Sequence, residues 1–196
     1  MRVARDWQVG PCTVEDLSDQ ERFDPEAGIW EMVEGWPAMS LWHRASHSYL
    51  LDNLSAALRD AVRTAGLDAK VGNYRVAVPD SRRNSRIPDL VILDGAAARE
   101  ARDTNALTVT GDDVLLAVEV VSAEDAARDH VEKVRDYARA GIGHYWIVDL
   151  DPTPGITLLR LEGDSYTLAD KVEGDVDLSV TEPLPVTLNP HTLAND

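Results

Sequence analysis

The sequence predicts an α/β (α+β) domain built on one mixed sheet, with the core order α-β-β-β-α-β, helices on both faces and extra strands. Three observations lead to this prediction: a long amphipathic helix comes early, three strand-like segments follow it, and a second helix separates the third strand from a fourth. A helix that joins two strands after a meander implies a sheet with both parallel and antiparallel neighbours. The length of 196 residues suits one domain with a proper core.

The chain divides into three parts. We expect an N-terminal arm over residues 1–28, a main domain over residues 29–170, and a C-terminal extension over residues 171–196 that is packed on the main domain or trails it. The main domain opens with a hairpin-like pair between Ile29 and Met39, around a Glu34-Gly35 turn.

The first long helix and the core strands follow. Leucines and other apolar residues at three- and four-residue spacing predict a helix from about Ser46 to Ala65, which ends near Gly66. The expected strands are Val71–Val78, Pro88–Leu93, Val114–Val121 and His144–Leu150, with a closing hairpin of Ile156–Leu161 and Ser165–Leu168 and a weak signal at Val186–Leu188.

A second helix is predicted from about Ala123 to Ala140, where Gly141 ends it. Its expected apolar stripe consists of Ala127, Val131, Val134 and Ala138. The polar segment before Val114 has room for a further short helix.

The composition is that of an ordinary globular protein, with 44% hydrophobic and 28% charged residues. No stretch approaches the roughly 18 apolar residues of a membrane span, and the N-terminus lacks the apolar run of a signal peptide. The single cysteine, Cys12, excludes an internal disulfide framework and the cysteine-rich zinc sites. We therefore expect a cytoplasmic protein.

The net charge of −16 argues against tight, indiscriminate binding of nucleic acid, which depends on neutralising phosphates with basic residues. The basic residues are nevertheless grouped, either as local anion-binding patches or as solvated surface charges. One group is Arg75, Arg82, Arg83 and Arg86, and the other is Arg128, Lys133, Arg135 and Arg139. A small basic cleft is compatible with this charge distribution.

The chemically most informative feature is a pair of acidic residues on two apolar strands, Asp89 and Glu119. An ionised carboxylate among buried apolar residues is costly unless a cation or hydrogen-bond donor compensates it. If the two strands are neighbours, both carboxylates converge on one divalent metal, which would polarise a phosphodiester and activate water. The alternatives are that Asp89 initiates a strand and that Glu119 pairs with an arginine.

Nuclease chemistry also needs a cation near the developing phosphorane charge. The usual position, two residues after the glutamate, holds Val121, so Lys133 is the candidate substitute. A rise of roughly 14 Å along the helix brings Lys133 level with Glu119. Because Lys133 lies off the apolar stripe, we expect it to flank the sheet, beside Asp129 and Tyr137 on one helical edge. A surface Asp–Lys pair beside a tyrosine is the alternative.

Four further residues are candidates for the site. Glu34 is the expected third acid, with Glu31 as its alternative. His47 would touch phosphate or shuttle a proton, unless it is only a half-buried histidine at a helix start. Arg86 and Tyr137 are candidate substrate contacts. The sequence contains no Walker A motif, Gly-x-Gly-x-x-Gly motif, Gly-x-Ser-x-Gly elbow or zinc-ligand histidine spacing.

The chain resembles the Uma2 family (DUF820) of restriction-endonuclease-like proteins from about residue 29 to residue 160. The motifs that carry the resemblance are Glu31-Met32-Val33-Glu34-Gly35, His47, Pro88-Asp89-Leu90-Val91, Glu119-Val120-Val121-Ser122, Asp129, Lys133, Tyr137, Ala140-Gly141-Ile142 and Tyr145-Trp146-Ile147-Val148-Asp149. The segment from Glu119 to Asp149 is the most specific, since several dispersed identities recur there in order.

This resemblance implies the PD-(D/E)XK nuclease fold, a need for Mg²⁺ or Mn²⁺, and self-association as a homodimer. It implies Asp89 and Glu119 as metal ligands, Lys133 in place of the missing lysine, and Glu34 as the acid from the first part of the core. The chain departs from the family pattern at Val121 and at Ser122-Ala123-Glu124, where Ser-Pro is common. The leading hypothesis is a Mg²⁺-dependent DNA endonuclease. The alternatives are a non-catalytic interaction module on a nuclease-derived scaffold and a hydrolase of small phosphodiesters.

Overall fold

The computed structural model describes residues 12–19, 23, 29–40, 45–79, 83–121 and 128–195. Its strands are β1 (Ile29–Val33), β2 (Trp36–Ser40), β3 (Ala69–Gly72), β4 (Val76–Ala77), β5 (Ser85–Arg86), β6 (Leu90–Asp94), β7 (Val114–Val121), β8 (His144–Asp149), β9 (Gly155–Glu162), β10 (Ser165–Glu173), β11 (Leu178–Val180) and β12 (Val186–Leu188). Its helices are α1 (Ala45–Thr64), α2 (Gly95–Thr104), α3 (Arg128–Arg139) and α4 (Pro190–Asn195), with 3-10 turns at Glu15–Ser18 and Gly111–Asp113.

The central sheet has six strands in the order β10-β9-β8-β7-β6-β3. Strands β7 and β8 are parallel, and every other neighbouring pair in this sheet is antiparallel. Helix α3 makes the crossover from β7 to β8, as a parallel pair requires. The succession α1, β3, β6, β7, α3, β8 confirms the predicted core order and fold class.

The sheet is buried on both faces, which explains the continuous apolar runs of β6 and β7. On one face the leucines of α1 pack against alternate residues of the sheet, including Leu116, Val118 and Trp146. On the other face, Ala117 and Tyr145 pack with Tyr137 from α3. Side chains on the α3 face of the sheet therefore lie between a helix and a sheet, largely shielded from water.

A second sheet, in the order β2-β1-β5-β4, combines the hairpin that precedes α1 with two short strands that lie between β3 and β6 in sequence. Its β1–β2 hairpin has the predicted turn at Glu34-Gly35, and Met32 of β1 pairs with Ser85 of β5. The single strand predicted for Val71–Val78 is wrong, because β3 belongs to the central sheet and β4 to this smaller one. Between β3 and β4, the Asn73 side chain donates to the Pro88 carbonyl at 2.9 Å. This side-chain hydrogen bond joins the chain to the segment before β6 at the point where β3 ends.

In the C-terminal residues, the weak strand signal at Val186–Leu188 is confirmed as β12, and further structure appears that the sequence pattern did not predict. Strand β10 continues to Glu173, with an irregularity between Leu168 and Asp170, and β11 pairs with β12. Helix α4 packs on α1, where Asn53 Nδ2 donates to the Leu193 carbonyl at 3.1 Å. Among the described helices, none is long and apolar enough to cross a membrane.

Candidate active site

The two predicted acidic residues lie at the same end of two adjacent strands. In the antiparallel pairing of β6 with β7, Leu90 lies opposite Val118. Continuing this register by one residue places Asp89 opposite Glu119, on the same face of the sheet. The Val120 N–H donates to Asp89 Oδ2 at 2.8 Å. The Asp89 carboxylate thus accepts a backbone hydrogen bond from β7 beyond the end of β6.

Asp89 is held by a histidine from the first turn of α1. His47 Nε2 lies 3.2 Å from Asp89 Oδ2, and only 6% of His47 and 11% of the Asp89 side chain are exposed. Although burial opposes ionisation, the hydrogen bond and charge of His47 and the Val120 N–H together lower the pKa of Asp89. Asp89 is therefore an anion at neutral pH.

Glu119 is more deeply buried and is contacted by two side chains of α3. Lys133 Nζ lies 2.9 Å from Oε2, and the Tyr137 hydroxyl donates to Oε1. Burial raises the pKa of Glu119 to about 8; the charges of Asp89 and Glu31 add to this rise, and Lys133 opposes it. Burial and the charge of Glu119 also raise the pKa of Tyr137 well above its usual value, so its hydroxyl remains a donor.

The position of α3 corrects part of the predicted helical stripe: Val134 and Ala138 face inward as predicted, and Ala127 lies outside the described residues. Val131, placed in the apolar face by its spacing, is 70% exposed, whereas Lys133 and Tyr137 face the sheet. The prediction that Lys133 would flank the sheet is therefore wrong. The physical reason is that the Glu119 oxygens supply acceptors inside the sheet, so the Lys133 ammonium and the Tyr137 hydroxyl have partners on the inward face of α3.

A buried ion network adjoins this pair. Arg86 Nη1 lies 3.1 Å from Glu31 Oε2, and Arg86 Nε and Nη2 lie 2.9 and 2.8 Å from Asp136 Oδ2. Glu31 Oε1 also accepts from the Ile87 N–H at 2.8 Å. Despite burial, the charges of Glu31 and Asp136 raise the pKa of Arg86, which keeps the guanidinium charged. Asp136 was missed by the sequence analysis, although its place beside Tyr137 and three residues after Lys133 was the available signal.

Glu31 and Glu34 occupy different environments. Glu34 adopts a positive φ of 51° in the β1–β2 turn, and its side chain is 70% exposed, 4.0 Å from Arg135. Glu31 is buried, and its charge raises the pKa of Glu119. The structure thus places Glu31, the alternative, against Ile87, two residues before Asp89, and leaves Glu34 at the surface.

The two predicted basic groups do not form one patch. Arg86 is 2% exposed and its guanidinium faces carboxylates. Arg75 is half-buried and donates to Ser85 Oγ at 3.1 Å, while Arg83, Arg135 and Arg139 are exposed. Arg82 and the side chain of Arg128 lie outside the described residues.

The donor set of the carboxylate pair fits a hard divalent cation. Asp89 and Glu119 lie opposite each other on adjacent strands and on the same face, so one cation between them would contact both side chains. Mg²⁺ commonly uses one or two carboxylates and completes its shell with water and substrate phosphates. Over the described residues, no group of three or more His, Cys, Asp or Glu side chains is arranged to hold a metal. Among the described residues, Asp89 and Glu119 are therefore the two candidate ligands.

Comparisons with known proteins agree with this architecture. No curated protein matches the chain. A crystal structure described as a "putative nuclease belonging to DUF820" from Anabaena variabilis ATCC 29413 is similar, with a TM-score of 0.62, 15% identity, and coverage of 94% of this chain and 92% of that one. At this identity the likeness establishes the fold alone. The Uma2 family model, described as "Putative restriction endonuclease", matches residues 14–194. The chain therefore belongs to the Uma2 family.

Proposed function

We propose that this protein is an endonuclease that depends on Mg²⁺ or Mn²⁺ and hydrolyses phosphodiester bonds of DNA. The single observation that supports this most is the juxtaposition of two nearly buried carboxylates with an ammonium group, since Lys133 lies 2.9 Å from Glu119 beside Asp89. The chain belongs to a family whose model is described as a restriction endonuclease, and this favours a nuclease.

In this proposal, Asp89 and Glu119 would hold the metal. When bound, the metal would polarise the phosphodiester and lower the pKa of the attacking water. Lys133 would place a positive charge where negative charge develops on the phosphate, a role that electrostatic preorganisation makes effective in a nearly dry site.

The remaining side chains orient the two ligands. His47 fixes the Asp89 carboxylate from α1, and Tyr137 fixes the Glu119 carboxylate from α3. Such supporting contacts hold ligand geometry in metal sites generally. Glu34, at the surface turn, would contribute only if substrate reaches it; Glu31 is the acid that adjoins the pair.

The net charge bears on how DNA would be held. With a charge of −16, the surface as a whole repels a polyanion, so contact would be local and strongly dependent on salt. We also propose a homodimer, from the family resemblance, and a cytoplasmic location, from the composition of the chain. The same negative charge favours a second candidate, a hydrolase of small phosphodiesters, whose substrate carries far less charge than DNA.

The test is a plasmid-nicking assay with Mg²⁺ and Mn²⁺, run beside hydrolysis of a small chromogenic phosphodiester. Three proteins are compared: the wild type, Asp89→Ala and the matched control Asp164→Ala, which alters an exposed acid in the β9–β10 turn. Nicking by the wild type and the control but not by Asp89→Ala supports the proposal. Hydrolysis of the small diester without nicking supports the second candidate. A folded wild type that cleaves neither substrate contradicts both and favours a non-catalytic interaction module.

A further inference from the structure

The buried network of Glu31, Arg86 and Asp136 connects the three segments that meet at the carboxylate pair. Glu31 lies on β1, Arg86 on β5 and Asp136 on α3, and each side chain is at least nine-tenths buried. Beyond Arg86, the chain reaches Asp89 in three residues. On α3, Asp136 directly precedes Tyr137 and follows Lys133 by three residues, which places all three near one face of the helix.

The network also holds the backbone that leads into Asp89. Each oxygen of the Glu31 carboxylate has its own donor: Oε2 accepts from Arg86 Nη1 at 3.1 Å, and Oε1 accepts from the Ile87 N–H at 2.8 Å. One carboxylate therefore grips the chain at two consecutive residues, 86 and 87. The other end of the guanidinium is fixed to Asp136 by two contacts of 2.9 and 2.8 Å.

Stability alone is a weak reason for such an arrangement. Removing ions from water is costly, and a buried ion network is often replaced by apolar or neutral groups without loss of stability. Within the buried part of the network one guanidinium faces two carboxylates, and the exposed Arg135 lies 3.5 Å from Asp136 Oδ1. The hydrogen bonds of the network fix the position of the Asp89 segment relative to α3. Apolar packing is less directional and would constrain that position less.

We propose that the Glu31–Arg86–Asp136 network is a positioning device that sets the Asp89 carboxylate against Glu119 and its two α3 partners. Arg86 and Glu31 act through the chain at Ile87, and Asp136 anchors them to the helix that carries Lys133 and Tyr137. The effect of the network on metal binding rests on the proposed function. Its effect on the position of Asp89 does not depend on that function.

The Val120 amide is a direct reporter of this placement, because its N–H donates to Asp89 Oδ2 at 2.8 Å. Residue-resolved hydrogen exchange at Val120 therefore measures the position of Asp89 without any metal or substrate. Asp89→Ala serves as the reference for complete loss of this contact.

The informative variant removes all three charges and also the Glu31 acceptor of the Ile87 N–H: Glu31→Met, Arg86→Met and Asp136→Leu together. Arg86→Met alone leaves two uncompensated buried carboxylates and is expected to be much less stable, whereas the triple variant has no buried charge to compensate. A matched control removes an exposed ion pair elsewhere, Asp68→Asn with Arg99→Met. Urea unfolding establishes that each protein is folded before exchange is compared.

We expect the folded triple variant to exchange the Val120 amide at least about tenfold faster than the wild type, approaching Asp89→Ala, while core amides keep their protection. We also expect its Mn²⁺ affinity to fall by about 10–100-fold, as is typical when groups supporting metal ligands are removed. Wild-type protection at Val120 in the folded triple variant would overturn the inference, as would Arg86→Met exchanging there at the wild-type rate. A wild type that binds no metal would refute the proposed function. The exchange result at Val120 would then still decide whether the network positions Asp89.

Discussion

Replacing Lys133 by Met tests the role of the ammonium group at Glu119 with little change in side-chain volume. The Lys133 and Glu119 side chains are 15% and 7% exposed, and their nitrogen and oxygen lie 2.9 Å apart. Loss of one positioned charge donor in a nearly dry site typically costs 10²–10³-fold in rate, or about 2.7–4 kcal/mol of transition-state stabilisation. We expect kcat/KM for plasmid nicking to fall by about that factor.

The effect on stability should be smaller than for most broken buried ion pairs. Lys133 lowers the pKa of Glu119, so its removal raises that pKa further above about 8. At neutral pH the carboxyl then keeps its proton and is not left as a bare buried anion. We expect a loss of about 1–3 kcal/mol in the free energy of unfolding, below the roughly 3–5 kcal/mol of an uncompensated charge.

The matched control is Lys70→Met, which removes an exposed lysine from β3. Nicking is measured over a series of DNA concentrations at fixed Mg²⁺, and stability by urea unfolding of the same samples. If Lys133→Met and Lys70→Met both nick within about threefold of the wild type, the reasoning that gives Lys133 a catalytic charge is refuted.

Three other changes have definite expected outcomes. Tyr137→Phe removes the donor to Glu119 from a fully buried position and should cost about 1–3 kcal/mol in urea unfolding; unchanged stability would contradict the contact. Because the pKa of Glu119 rises from 4.5 to about 8 on folding, the native state binds the proton more tightly, and wild-type stability should fall as pH rises through this window, by up to ~1.4 kcal/mol per pH unit. Glu119→Gln should lose this component, and equal slopes in both proteins would argue against the raised pKa. Val131→Glu alters an exposed side chain and should change the free energy of unfolding by less than about 0.5 kcal/mol. A loss of about 2 kcal/mol would indicate that Val131 is buried and would contradict the observed orientation of α3.

The sequence predicted the elements that have a long, uninterrupted hydrophobic pattern, either periodic as in a helix or continuous as in a buried strand. Strand β7 was predicted with its observed bounds, Val114–Val121, and α1 differs from its prediction by one residue at each end. The break after Gly72 was missed because the tether that redirects the chain joins Asn73 to Pro88, fifteen residues away. A contact of that kind leaves no periodic signal.

The candidate site was predictable in its strands and not in its helix. Alternation placed Asp89 and Glu119 on matching faces of their strands, and the condition that these strands be neighbours is met by the observed pairing of β6 with β7. The orientation of α3 was misjudged because hydrophobic spacing was allowed to set its inward face, and that face carries Lys133, Asp136 and Tyr137. Polar residues turn inward here because their partners, on β5 and β7, come from parts of the chain that a local pattern cannot include.

The central claim is that Asp89 and Glu119 together hold a divalent metal. Isothermal titration of Mn²⁺ into the wild type, Asp89→Ala, Glu119→Ala and the control Asp164→Ala tests it most directly, with folding of each variant confirmed beforehand. The account predicts saturable binding by the wild type and Asp164→Ala, and loss of that binding in both site variants. Equal binding by all four proteins, or none by a folded wild type, would contradict it.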